Sequence, residues 1–171
     1  MNLIVIRHAL AEDREEFALK NKEDSLRPLT DKGRKKMLKM FEWVEDTIKD
    51  VDLIVSSPYL RAMQTAEILQ GFLPKLKIEQ APELVPHCPP QAFMKWLKAH
   101  ARDKKNVAVI GHEPQLSLFI SFLLSSKAES FIDMKKSGIA MMEVSSVSEI
   151  ETAHSQLLWL LCPKVIQKNS R

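Results

Sequence analysis

Glycine is scarce in this chain, which has four glycines among its 171 residues. No two of them are spaced as in the glycine-rich loops that cradle phosphates or bind dinucleotides. The sequence therefore argues against the nucleotide-binding classes that depend on such loops. If the protein binds an anion, its side chains must make most of the contacts.

Cysteine is rarer still, and its two positions, Cys88 and Cys162, are far apart in the sequence. Neither belongs to a paired spacing, so the sequence predicts neither a disulfide framework nor a zinc site. The neighbouring pair His87-Cys88 offers two ligands, whereas a structural zinc site uses four. We expect a reduced, cytoplasmic protein that binds no metal and no cofactor.

Long hydrophobic runs are missing as well. The apolar start of the chain, Met1 to Ile6, is stopped by Arg7 before it reaches the length of a signal peptide or a membrane span. Charge is nearly balanced, since 25 Lys and Arg against 22 Asp and Glu give a net charge of +3. The modestly basic end, residues 164–171, is interpreted as a solvated tail. We expect neither a membrane nor a nucleic acid among the partners.

The chain has the size and composition of one globular domain. With 171 residues, of which 45% are hydrophobic and 27% charged, one core suffices. We therefore expect a single domain over residues 1–171. Short β-branched runs alternate with segments of helical periodicity. This order predicts an α/β fold, a three-layer α/β/α sandwich around a mostly parallel sheet.

The periodicity also predicts where the elements lie. Strands are predicted at residues 2–6, 52–56, 77–80, 106–110, 139–144 and 156–161. Helices are predicted at residues 30–49, 57–71, 91–101 and 114–124. Thr30 is the expected cap of the first helix, and Ser57 with Pro58 is the expected start of the second. The polar segment 9–29 shows no periodicity and is interpreted as a long loop that follows a strand end.

Two of the predicted strands end in a histidine. The first strand leads into Arg7-His8, and a later strand leads into His112. The carboxyl ends of strands form the edge at which open α/β sheets bind their ligands. Arg61 lies in the first turn of the helix after another strand, beside the predicted helix start at Ser57. If these strands are neighbours, the four side chains form one positive pocket.

Such a pocket suits a phosphoryl group. Arginine guanidinium groups match phosphate oxygens bidentately, and a neutral histidine nitrogen can attack phosphorus. The free N–H groups at the helix start near Ser57 would also favour an anion. Each feature has a structural alternative, because an Arg-His pair can arise by chance and a lone histidine is more often a cap or a surface residue. Glu83, which lies in a proline-bounded turn, is either a loop carboxylate or a rigidly held catalytic acid.

Short motifs follow one another along most of the chain: Arg7-His8-Ala9-Leu10-Ala11, Arg27-Pro28-Leu29-Thr30, Ser56-Ser57-Pro58-Tyr59-Leu60-Arg61-Ala62, Gln64-Thr65-Ala66, Glu83-Leu84-Val85-Pro86, Gly111-His112-Glu113-Pro114 and Trp159-Leu160-Leu161-Cys162-Pro163-Lys164. In kind and order they resemble the motifs of the histidine phosphatase superfamily, which has the phosphoglycerate mutase-like fold. Within it they are similar to the short SixA branch of protein phosphohistidine phosphatases. The chain lacks the long insertions that cover the pocket in the mutases.

The resemblance implies a role for each matched position. His8 would be the nucleophile that becomes phosphorylated. Arg7 and Arg61 would clamp the phosphoryl oxygens, and His112 would donate to a nonbridging oxygen.

Other positions have less direct counterparts. Arg27 and Ser57 would help to bind the substrate, and Glu83 would be the candidate acid. Ala9 stands where the superfamily often has glycine, a small change that should leave the site open.

The resulting expectation is a metal-independent phosphohistidine phosphatase that works in two steps through a phospho-His8 intermediate. Surrounding cations would keep His8 neutral and stabilise the transferring phosphoryl group. The substrate would be a phosphohistidine protein, such as a histidine-containing phosphotransfer domain in signal transduction. Two alternatives stay open: a phosphatase of small phosphate esters, and a noncatalytic module that binds phosphate or phosphoproteins.

Overall fold

The computed structural model describes residues 1–127, 129–144 and 155–168. Its centre is a six-stranded sheet. The strands are β1 (Asn2–Arg7), β2 (Leu53–Ser56), β3 (Ile78–Gln80), β4 (Asn106–Gly111), β5 (Ile139–Val144) and β6 (Ser155–Leu161). They lie in the order β3-β2-β4-β1-β5-β6, and β5 alone runs against its neighbours. The predicted α/β fold with a mostly parallel sheet is confirmed.

Helices cover both faces of this sheet. Those of the described residues are α1 (Arg14–Ala18), α2 (Asp31–Trp43), α3 (Glu45–Ile48), α4 (Leu60–Gln70), α5 (Pro90–His100), α6 (Gln115–Ser125) and α7 (Pro163–Lys168). Short 3₁₀ turns lie at Asp24–Leu26 and Pro82–Leu84. None of the helices in these ranges has the length and apolar character needed to cross a membrane.

Alternation along the strands divides the core into two halves, because successive side chains of a strand point to opposite faces. In β1, Leu3 and Val5 pack in the half that contains α5 and α6. Ile4 and Ile6 pack in the half that contains α2 and α4. The result is the predicted three-layer sandwich. The assignment of all of residues 1–171 to one domain stays a prediction, since parts of the chain lie outside the described residues.

The second long helix begins later than the sequence predicts. α4 starts at Leu60 with Tyr59 in the cap position, and no side chain caps it. Ser57 is not the cap because its amide continues the sheet, donating to the Ile110 carbonyl at 2.9 Å. Its hydroxyl instead contacts His112. The expected role of Ser57 and Pro58 as a helix start was therefore wrong.

The segment 9–29 also differs from the expected loop. It contains α1, which Asp13 caps by accepting hydrogen bonds from the amides of Glu15 and Glu16 at 2.9 and 3.1 Å. An aspartate with acidic residues in the following turn is a recognisable helix start. The signal was therefore present in the sequence, but the helix is too short to produce a periodic pattern.

The structure differs from the sequence prediction at two further places. The predicted helix over 30–49 is interrupted at Val44, whose φ of −106° and ψ of 20° separate α2 from α3. The basic end of the chain does not begin as a solvated tail, because residues 163–168 form α7, which starts at the buried Pro163. Residues 169–171 lie outside the described ranges.

The first turn of α2 holds the chain that leaves β1. As predicted, Thr30 caps α2, accepting from the Gly33 amide at 3.0 Å. The Thr30 amide and hydroxyl both donate to the Leu10 carbonyl, at 3.0 and 3.1 Å. A Cβ atom on Gly33 would lie 2.1 Å from that same carbonyl oxygen. Glycine is therefore required for this close approach of two backbones.

We predict that Gly33→Ala lowers the free energy of unfolding by about 1–3 kcal/mol, the usual cost of overpacking a close contact. Denaturant unfolding is the measurement. Gly71→Ala is the matched control, because Gly71 ends α4 on the surface with an ordinary φ of −57°. Equal stability of Gly33→Ala and the wild type would contradict the packing described for α2.

Candidate active site

The sheet order brings the predicted site residues together. β4 lies between β1 and β2, so the carboxyl ends of all three strands meet at one edge. Arg7 ends β1 opposite Gly111, the last residue of β4. His8 and His112 follow directly, and their ring centroids are 5.0 Å apart.

A cavity of about 700 Å³ opens at this edge. Its lining includes all four residues on which the predicted site depends, Arg7, His8, Arg61 and His112, together with Arg27. The lining also includes Asp24, Tyr59, Glu113 and Lys136, which the sequence analysis did not single out.

His8 has one ring nitrogen free to react. The Nδ1 atom lies 2.7 Å from the carbonyl oxygen of Ala9. Because a carbonyl can only accept, Nδ1 must carry the proton, and Nε2 keeps its lone pair. Arg61 Nε donates to that lone pair at 3.3 Å. The unprotonated nitrogen of His8 therefore points toward the guanidinium group.

The surroundings keep both histidines neutral. Burial lowers the pKa of His8 to about 3, and although the hydrogen bond to Ala9 opposes this shift, the charges of nearby arginines add to it. Burial also lowers the pKa of His112 far below its ordinary range, and the neighbouring His8 ring and the arginines contribute. Neither imidazole carries a charge at neutral pH.

Arg61 is held by Asp24 as well as by His8. Its Nη1 donates to the Asp24 carbonyl at 2.8 Å, and its Nη2 lies 3.1 Å from the Asp24 carboxylate. The guanidinium also stacks 5.0 Å from the Tyr59 ring centroid. Burial lowers the pKa of Arg61, although the charge of Asp24 opposes this shift.

Asp24 links Arg61 to Arg27. Its carboxylate accepts from Arg27 Nε at 2.8 Å, and Arg27 Nη1 donates to the Glu12 carbonyl at 2.7 Å. Burial would raise the pKa of Asp24, but the Arg27 hydrogen bond and the arginine charges outweigh it and lower that pKa. Asp24 is thus an ionised bridge between two of the cavity's cations.

Arg7 is held by a different part of the chain. Its Nη1 donates to the Met134 carbonyl, while its buried Nε has no hydrogen-bond partner among the described residues. Burial lowers the pKa of Arg7, and the carboxylates of Glu113 and Asp133 oppose that shift. The free Nε is a donor available to a ligand.

Ser57 belongs to the site through His112. Its Oγ lies 2.8 Å from His112 Nε2 and accepts from the Tyr59 amide at 3.4 Å. A hydroxyl oxygen both donates and accepts, so its proton can go to Nε2 of the histidine. In that arrangement the proton of His112 resides on Nδ1, which is buried and has no partner among the described residues.

The two glutamates near the site differ in position. Glu83 lies in the 3₁₀ turn Pro82–Leu84, and among the described residues it is not part of the cavity lining, although Pro86 is. Glu113 does line the cavity, and burial raises its pKa despite opposition from Ser117 and Arg7. The acid role of Glu83 stays a prediction.

Metal ligands are not grouped in the part of the chain that the structure describes. There, no three His, Cys, Asp or Glu side chains lie close enough together to hold a metal ion. The independence from metals that the sequence predicts stays a prediction.

An α/β sheet that gathers a neutral histidine and several arginines at its carboxyl edge forms a site suited to anionic groups. The model of branch 1 of the histidine phosphatase superfamily matches residues 3–85, which confirms the resemblance to that superfamily. The matched range contains Arg7, His8 and Arg61, whereas His112 lies beyond it.

Similar proteins match over nearly the whole chain. An uncharacterized protein of Picosynechococcus sp. (strain ATCC 27264 / PCC 7002 / PR-6) is 29% identical over 167 residues, 96% of this chain and 98% of that protein. Phosphohistidine phosphatase SixA of Escherichia coli (strain K12) is 24% identical over 168 residues, 95% of this chain and 94% of SixA.

A solved structure agrees with these matches. The protein histidine phosphatase SixA complexed with tungstate is similar with a TM-score of 0.79 and 25% identity, covering 97% of this chain and 99% of that one. The resemblance to the SixA branch and the phosphoglycerate mutase-like fold are confirmed.

We predict that the His8 ring keeps its proton on Nδ1 and stays neutral down to about pH 4.5, because its pKa is lowered to about 3. Nitrogen NMR of the labelled ring is the measurement. The protein unfolded in urea is the control, in which histidines should titrate near about 6.5.

The lowered pKa of His8 also determines how the stability of the protein changes with pH. Between pH 6.5 and about 3 the unfolded chain binds a proton on His8 that the folded chain does not. The free energy of unfolding should therefore fall as the pH decreases through this window. A folded-state midpoint near 6.5 for His8 would contradict the described environment.

Proposed function

We propose that this protein is a phosphohistidine phosphatase in which Nε2 of His8 is the nucleophile. The observation that carries the proposal is the fixed tautomer of His8, whose unprotonated nitrogen faces Arg61 inside a cationic cavity. The name and structure of the similar SixA proteins support the same activity.

The reaction would take two steps. In the first, the lone pair of Nε2 attacks phosphorus, and the bond from phosphorus to the leaving imidazole breaks, so that the electron pair stays on the leaving nitrogen. In the second, water attacks the phosphorus of phospho-His8, the bond from phosphorus to Nε2 breaks, and the water releases one proton to the solvent. Inorganic phosphate leaves, and the lone pair returns to His8.

The cations would stabilise the charge that develops in both steps. Arg61 uses three of its five N–H donors on His8 and Asp24, which leaves two for phosphoryl oxygens. The free Nε of Arg7 and the free Nδ1 of His112 would supply further donors. Arg27 would stabilise the anion through its charge. With this set of donors, a metal ion would not be needed.

The proposed substrate is a phosphorylated protein, such as a histidine-containing phosphotransfer domain. An imidazole leaving group can depart already protonated, so its expulsion depends little on a catalytic acid. Glu83 does not line the cavity, and this fits a substrate that needs little help from it.

We predict that His8→Ala lowers phosphate release from a phosphohistidine protein by more than about a thousandfold, the order seen when a nucleophile is removed. His100→Ala is the matched control, because His100 stacks on Trp96 away from the cavity. Both assays run with EDTA present. In the wild type, rapid quenching should trap an alkali-stable, acid-labile phosphoenzyme.

Three outcomes would contradict this proposal. Turnover by His8→Ala within severalfold of the wild type would exclude His8 as the nucleophile. Release that never exceeds one equivalent of enzyme would favour the noncatalytic binding module. Activity lost to EDTA and regained with magnesium or zinc would refute metal independence.

The position of Glu113 favours a second activity, the hydrolysis of small phosphate esters. An alkoxide leaves poorly unless an acid protonates it, and a carboxyl with a raised pKa at the cavity wall is suited to that role. Its buried Oε1 has no partner among the described residues.

We predict that Glu113→Gln slows hydrolysis of an alkyl phosphate such as phosphoserine by about 10² or more, while phosphohistidine hydrolysis falls much less. Glu83→Gln is the matched comparison, since it removes a carboxyl outside the cavity. Equal slowing of both substrates would mean that Glu113 acts through structure. A selective effect of Glu83→Gln would instead support the role that the sequence motif predicts.

A further inference from the structure

A lysine-rich surface leads away from the candidate active site. A groove of about 450 Å³ shares Arg7 and Lys136 with the active-site cavity. A second groove, of about 350 Å³, shares Lys32 and Lys36 with the first. The lysines lining the two grooves are Lys32, Lys35, Lys36, Lys39, Lys135, Lys136 and Lys164. We name this surface the lysine strip.

Helical spacing aligns four of these lysines. Lys32, Lys35, Lys36 and Lys39 recur at steps of three and four residues, so they share one side of α2. The seven steps of helical rise from Lys32 to Lys39 make that row about 10 Å long. Pro163, at the start of α7, lines both grooves and closes the strip along its other side.

The charges of the strip are not neutralised within the described fold. Only Lys135 of the seven forms an ion pair there, with Asp133. No acidic side chain of the described residues lines either groove. Like charges at three- and four-residue spacing destabilise a helix by about 0.2–0.5 kcal/mol per pair. The row therefore does not stabilise α2, and its charge is available to a partner.

The lining also indicates the kind of partner. Beside the lysines and Arg7 it consists of aliphatic, proline, serine, methionine and cysteine side chains, with no aromatic ring among the described residues. Proteins that bind single-stranded nucleic acids stack bases on aromatic rings, which this surface lacks. Lysine, a point charge on a flexible stem, suits carboxylates that are spread over a protein surface.

The lysine strip adjoins the active-site cavity. The strip begins at Arg7 and Lys136, which belong to the wall of the cavity. A carrier whose phosphoryl group is bound in the cavity can therefore extend over the strip. We propose that the lysine strip binds an acidic segment of the phosphorylated protein next to its phosphohistidine. The inference rests on the proposed function.

The lysine strip would affect how fast and how tightly the substrate binds. The buried residues of the cavity would affect the chemical step. Charge complementarity of this kind raises association rates by about 10–10³, and salt weakens the effect. We therefore expect changes in kcat/KM through KM, with kcat little altered.

Two synthetic peptides test the proposal. Both carry one phosphohistidine, flanked on each side by three glutamates in one peptide and by three glutamines in the other. The wild type should hydrolyse the glutamate peptide with a kcat/KM about tenfold higher. The combined variant Lys32→Glu, Lys35→Glu, Lys39→Glu should lose that preference. It should hydrolyse free phosphohistidine within about twofold of the wild type, because the cavity is unchanged.

The matched control combines Lys75→Glu, Lys77→Glu and Arg102→Glu. These exposed residues precede β3 and β4, at the opposite edge of the sheet from the cavity. The control has the same net charge as the strip variant, and it should keep the preference for the glutamate peptide. Equal preference of the wild type for both peptides would overturn the proposal. So would equal losses in the strip variant and the control.

A measurement of peptide binding distinguishes failure of this inference from failure of the proposed function. If the wild type hydrolyses neither peptide, the proposed function fails. Fluorescence anisotropy of the two peptides with His8→Ala, alone and combined with the strip variant, still tests the strip. Glutamate-dependent binding that the strip variant abolishes would support the inference. A strip variant that keeps its peptide preference but loses binding to phosphatidylserine vesicles or an oligonucleotide would overturn it.

Discussion

The contact between Arg61 and His8 is the interaction on which the site depends. A guanidinium can only donate, so its approach to Nε2 requires an unprotonated histidine nitrogen. The Ala9 carbonyl imposes the same tautomer from the other side of the ring. A buried cation beside a histidine needs a counter-charge, since an unpaired buried charge costs several kcal/mol. Asp24 supplies it and joins Arg61 to Arg27.

The backbone positions these groups before any ligand arrives. The sheet order places β4 between β1 and β2, so both histidines and the helix bearing Arg61 reach one edge. Thr65 then connects them: its hydroxyl donates to the Arg61 carbonyl at 2.7 Å and accepts from the Ala9 amide at 3.1 Å. The residue after His8 and the first turn of α4 are thereby held at a fixed distance. A site fixed in this way loses little energy to reorganisation.

Sequence reasoning found the parts of this arrangement that depend on local pattern. Buried strands show as short apolar runs, and the residues at their carboxyl ends can then be read directly, which located His8 and His112. Asp24 was missed because its importance comes from Arg61, which is 37 residues away and reaches it only in the folded chain. Ser57 was misassigned as a helix cap because its competing partner, His112, follows another strand. Local sequence preferences cannot show whether a serine hydroxyl caps the next helix or forms a hydrogen bond with a residue that is distant in the sequence.

The residues of the cavity and those of the lysine strip differ in how far their charges act. Arg61 and Arg27 are at most 8% exposed, so water screens their charges little, and they act on any phosphoryl group that enters. The strip lysines are mostly exposed, and salt limits their reach to about 8 Å. A small ester bound in the cavity would be influenced mainly by the first set of charges. Only a carrier that extends over α2 would contact both sets of charges.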